Sequence, residues 1–130
     1  MSTKYTVTFA TFAERHFVKK FQKKYKRAWD ITREALVRQY QSIDVLFDRS
    51  IAEVIVQTEA VKICKTEFTV AGTNQSRKAS GKRCILAIHK DTSQISVLLV
   101  YHKNDLGGGS ETANWKLLIK ENYPEYSDLL

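Results

Sequence analysis

The stretch SRKASGKRCILAIHK, residues 76–90, sets Arg77, Lys78, Lys82 and Arg83 against an apolar run, and a second run, ISVLLVYHK, ends on Tyr101, His102 and Lys103. If the two runs are antiparallel strands joined by an even-numbered turn centred on DTSQ, Arg83 falls opposite His102, Ile85 opposite Val100 and Leu86 opposite Leu99. One residue more or less in that turn brings Tyr101 or Lys103 to Arg83 instead. Either way a strand end carries cations, a phenol and an imidazole together. That mixture suits RNA cleavage by the neighbouring 2′-hydroxyl, which needs a base for the hydroxyl proton, an acid for the leaving 5′-oxygen and positive charge on the crowded phosphate. Histidine titrates near neutrality and can do the proton work, while arginine stays charged and grips phosphate oxygens in pairs. Carboxylates are not grouped in the sequence, which argues against a magnesium-dependent nuclease and for chemistry without metal or other cofactor.

Such a cluster needs a folded frame, and 130 residues at 43% hydrophobic composition provide for one core, so a single domain over 1–130 is expected. No apolar stretch reaches the roughly 20 residues of a membrane span, and no secretory apolar segment opens the chain, so a soluble, cytoplasmic protein without membrane contact is expected. Cys64 and Cys84 lie inside apolar runs without metal-ligand spacing, which predicts buried free thiols and no zinc site. The formal charge of +7 and a pI near 9.5 favour a polyanion or an acidic protein as partner.

The patterning predicts how the cluster is held. Tyr5 to Phe9 reads as a first strand. Thr11 and Glu14, at capping-box spacing, open an amphipathic helix whose stripe is Phe12, Phe17, Phe21 and Tyr25; Lys19, Lys20, Lys23 and Lys24 read mainly as its solvated face. A second helix is expected from Asp30, as its cap, to Phe47. Strands are expected over Val54–Val56 and Lys62–Val70, then a loop, then strands over Arg83–His89 and Ile95–His102. Ser110 caps a last helix built on Trp115, Leu118 and Ile119 and stopped near Pro124, while His16 and His89 read as surface residues. The fold class is α+β, a small antiparallel-rich sheet with two N-terminal helices packed on it and a short C-terminal helix.

This order, the KASGKR entry to the penultimate strand and the YHKNDL ending of the last one resemble the RelE/ParE superfamily of bacterial toxins of type II toxin-antitoxin systems. KASGKR is similar to the entry seen in RelE-like members and implies that Arg83 is the phosphate-stabilising arginine. YHKNDL resembles the ending of YafQ-like members and implies proton transfer by His102, with Tyr101 and Lys103 beside it. RelE-like members carry lysines on the strand before the arginine, and here Lys65, Arg77, Lys78 and Lys82 are the candidates to contact RNA. The resemblance implies an mRNA endonuclease that works on ribosome-bound mRNA and is neutralised by a cognate acidic antitoxin. The alternatives are a ParE-like toxin that inhibits DNA gyrase without catalysis, and a basic RNA-binding module that cuts nothing.

Overall fold

The computed structural model describes residues 4–130; residues 1–3 of the expected domain lie outside them. Strand β1 (Thr6–Phe9) leads into a continuous helix over 11–25, α-helical at α1 (Thr11–Ala13), π-helical over Glu14–Val18 and α-helical again at α2 (Lys19–Tyr25). The π turn explains the five-residue step from Phe12 to Phe17: the extra residue keeps Phe17 inward, between two cores. The capping box does not form. Ala10 occupies the cap position and its carbonyl accepts the Glu14 N–H at 3.0 Å, while the Glu14 carboxylate pairs with Arg33.

The expected helix from Asp30 to Phe47 is two helices, α3 (Arg27–Gln41) and α4 (Ile43–Asp48), broken at Ser42. Asp30 is not the cap; it lies in the first turn of α3, where a carboxylate still suits the helix dipole. The junction before α3 is made by the backbone of Lys26, at φ +53°. Strands β2 (Ala52–Gln57), β3 (Val61–Phe68), β4 (Lys82–His89) and β5 (Gln94–His102) follow, then a 3-10 turn (Lys103–Asp105), α5 (Glu111–Asn122) and α6 (Pro124–Ser127). Ser110 caps α5 as expected, accepting the Ala113 N–H at 3.2 Å.

The sheet runs β1-β5-β4-β3-β2, with β1 parallel to β5 and the other pairs antiparallel. Helices cover both faces, which is why β4 is an unbroken apolar run. One core joins Trp29, Leu36, Tyr40 and Ile43 of the N-terminal helices to Cys84, Leu86 and Val97. The other joins Trp115, Ile119, Tyr123 and Tyr126 to Ile63, Ile85, Ala87 and Leu99. Burying a side chain such as Ile119 contributes on the order of 1.5–3 kcal/mol, so α5 is docked by several such contacts. Cys64 and Cys84 are buried and free, and burial pushes each thiol up to about 12. His89 is no bare surface residue, because its Nε2 meets the Tyr126 hydroxyl at 2.7 Å.

The β4–β5 hairpin corrects the expected register. The turn occupies 90–93, with Ser93 at φ +53°, so His89 pairs with Gln94. A bulge at Leu98 then shifts the ladder by one, and Arg83 pairs with Tyr101 and Lys82 with His102. Because side chains alternate across a strand, this one extra residue decides which face each receives. The Tyr123 hydroxyl donates to the Leu98 carbonyl at 2.6 Å and holds the bulge from the α5 side.

Candidate functional site

The bulge divides the expected cluster between the two faces of the sheet. On the α5 face, Lys65 of β3, Arg83 of β4 and Tyr101 of β5 converge on one atom, Oε2 of Glu111 at the first turn of α5. Lys65 Nζ lies 3.3 Å from it, Arg83 Nε 3.6 Å, and the Tyr101 hydroxyl donates to it at 2.8 Å. Arg83 also pairs through its terminal nitrogen with Glu67 Oε2 at 3.2 Å. The Arg83 Nε is nevertheless too far from Glu111 for a hydrogen bond and, among the described residues, is a buried donor without an acceptor.

Charge and burial act on each group of this row. For Glu111, burial alone would raise the carboxyl, but the Tyr101 hydrogen bond and the Lys65 and Arg83 charges outweigh it and hold the group below its ordinary range. Tyr101 moves far the other way, first because it is buried and then because its proton is shared with the Glu111 carboxylate. The row therefore places two cations and one hydroxyl donor around a single carboxylate of the same chain.

On the opposite face, His102 stands with Lys82 at the mouth of a cavity of about 250 Å³, lined also by Lys20, Lys24 and Tyr25 of α2 and by Asn104 and Asp105. Glycine at 81 is required here: its backbone is at φ +72°, and a Cβ would come within 2.7 Å of the His102 Nε2. The His102 Nδ1 accepts the Asn104 N–H at 3.1 Å, so the neutral ring carries its proton on Nε2. Burial lowers its pKa, Asp105 opposes that, and Lys82, Lys24 and Lys103 add to it.

Arg83 and His102 therefore do not share a phosphate in this arrangement; the residue that faces Arg83 is Tyr101. Lys103 is exposed in the 3-10 turn, and Arg77 and Lys78 are exposed in the loop before β4. Lys65 joins Arg83, and Lys82 joins His102. The loop is anchored by Ser80, whose Oγ lies 2.5 Å from the Phe68 carbonyl and 2.7 Å from that of Arg77 and accepts the Lys82 N–H at 3.1 Å. That anchor fixes where Lys82 and Arg83 enter the sheet. Glu111, Lys20, Lys24 and Tyr25 belong to these two sites and were not singled out for them by sequence. The α2 lysines were visible at i, i+4 spacing but indistinguishable from a solvated helix face, and Glu111 looks like any acidic residue after a cap.

No protein-family model matches the chain, and no curated protein matches it by sequence. Among solved structures it is similar to an archaeal RelE-RelB complex from Pyrococcus horikoshii OT3, at 10% identity and a TM-score of 0.50, over 79% of this chain and 99% of that one. The five-stranded sheet with helices on both faces is thus a RelE-like fold.

Proposed function

We propose that this protein is a toxin of the RelE type that cleaves mRNA, working in the cytoplasm on ribosome-bound message and neutralised by an acidic antitoxin. The observation that carries this reading is the convergence of Lys65, Arg83 and Tyr101, from three adjacent strands, on one carboxylate oxygen. A phosphate oxygen of RNA would take the place of Glu111 Oε2. Lys65 and Arg83 would then bear the charge that grows on the non-bridging phosphate oxygens as the 2′-oxygen attacks. Tyr101, kept protonated across the neutral range, would donate its proton to the departing 5′-oxygen, while the proton of the attacking 2′-hydroxyl would pass to water. His102 is released from the proton-transfer role on that phosphate, since it lies on the other face with Nδ1 engaged. The solved neighbour is a RelE-RelB complex, which supports an antitoxin as partner here; the positive charge of this chain suits an acidic one.

A second reading, a ParE-like toxin that binds gyrase without catalysis, draws on the same network: Glu67 and Glu111 already neutralise Arg83, as in a purely structural ion-pair cluster. Induced expression separates the two. Under the nuclease reading, growth arrest is accompanied by cleaved mRNA, and Tyr101→Phe reduces cleavage by about 100-fold or more while the protein stays folded. Growth arrest with intact mRNA would favour the gyrase reading.

A further inference from the structure

Lys82 is a buried ammonium, only 5% exposed, and among the described residues it has no carboxylate within ion-pairing distance. Its Nζ has a single long hydrogen bond, 3.4 Å to the Ser80 carbonyl, and stands 5.6 Å from the centre of the Tyr25 ring. A buried cation is normally paired, because water is lost and nothing else replaces it. The cavity beside it collects more positive charge: Lys20 and Lys24 lie one helical turn apart on α2, without ion-pair partners among the described residues, and the His102 side chain lines it as well. Against these stands one carboxylate, Asp105, with Asn104 as a neutral donor and acceptor. Positive charge in such excess around a partly enclosed cavity is an arrangement completed by an anion.

We propose that this cavity binds a phosphate monoester, held by Lys82, Lys24 and His102, as a second anion site separate from the Arg83 row. A phosphate dianion supplies the counter-charge that Lys82 lacks, with the His102 imidazole beside it and Lys20 and Lys24 flanking it from the helix. The ladder sets the geometry. Lys82 and His102 are a cross-strand pair directly adjacent to the pair Arg83 and Tyr101, so the same strand ends carry one anion receptor on each face. The inference does not depend on RNA cleavage, since it follows from the uncompensated charge of Lys82.

The test follows the His102 ring by proton NMR during titration with inorganic phosphate and, separately, adenosine monophosphate. The chain has three histidines, and His102→Gln identifies the resonance. Binding is expected to shift this resonance saturably and to raise the His102 pKa by about one unit, as a nearby anion does. It is also expected to raise the melting temperature. Lys82→Met should abolish the thermal shift, and Lys24→Ala, at an exposed position, should weaken binding at least about tenfold. Tighter binding of the nucleotide than of inorganic phosphate assigns the site to a nucleotide or RNA end; equal binding assigns it to free phosphate. No saturable change at His102, or a change undiminished in both variants, would overturn the proposal. Lys24→Ala keeps the test decisive if Lys82→Met fails to fold.

Discussion

The two faces of one strand end differ in how their charges are balanced. On the α5 side, two cations meet two carboxylates, and Arg83 is buried among Glu67, Glu111 and Tyr101. On the α2 side, a lysine as deeply buried as Arg83 has, among the described residues, no carboxylate within ion-pairing distance, and the cavity next to it is lined by two further lysines and one carboxylate, Asp105. A site whose counter-charge is a side chain can be emptied only by moving that side chain; a site without one takes its anion from solution. Gly107, Gly108 and Gly109 precede α5, and two of the three have positive φ, which glycine adopts without strain.

The largest effect is expected at Arg83. Arg83→Ala should reduce mRNA cleavage by about 100-fold to 1,000-fold, the loss typical of an oxyanion donor, as scored by primer extension on a message from induced cells. It should also destabilise by about 1–3 kcal/mol, because Glu67 loses its partner and Glu111 one of its two cations. A rim position would have cost less; burial between the carboxylates makes the difference. Adding Glu111→Ala should restore part of the stability but none of the cleavage, and a melting curve on the double variant separates the two roles.

Next comes the docking of α5. Trp115→Ala removes a fully buried side chain and should cost about 3–5 kcal/mol by chemical denaturation. If the helix only gates the row, partial undocking should increase RNA affinity at temperatures where the variant is still folded. A smaller change is expected at the loop. Arg77 and Lys78 are exposed and unconstrained by ion pairs among the described residues, so replacing both by Ala should flatten the slope of log affinity for single-stranded RNA against log salt by about 1.4. An unchanged slope would assign these cations to solubility. The smallest effect concerns pH. Glu111 is held below its ordinary range, so its pairing contributes stability that is fully present above the unfolded value of roughly 4.3 and is lost as pH falls through the lower folded value. Glu111→Gln should remove that segment of the acid unfolding curve and lower neutral stability by about 1 kcal/mol.

Much of the fold was legible in the sequence. The strand-like runs of β4 and β5 were identified to within a residue, because apolar β-branched segments bounded by polar turns have few alternatives. Ser110 announced α5 correctly. The site was less legible, for a specific reason: the face that Tyr101 and His102 occupy depends on the bulge at Leu98, and a bulge between Val97 and Val100 leaves no mark in an all-apolar run. The Thr11–Glu14 pattern misled because Glu14 had a better partner in Arg33, nineteen residues away. Glu111 could not be foreseen at all, since its role arises only when α5 folds back across β3, β4 and β5.

The central claim is that the Lys65–Arg83–Tyr101 row is a phosphate receptor held occupied by Glu111. The direct measurement is the affinity of a short RNA with a 2′-deoxy substitution at the scissile position, which binds without being cut, for the wild type, Glu111→Gln, and Glu111→Gln combined with Arg83→Ala. Removing the negative charge while keeping an acceptor for Tyr101 should tighten binding about tenfold, the equivalent of one released ion-pair competitor, and the added Arg83→Ala should cancel that gain. Binding that is unchanged or weaker in Glu111→Gln, or a gain that survives the loss of Arg83, would contradict the account.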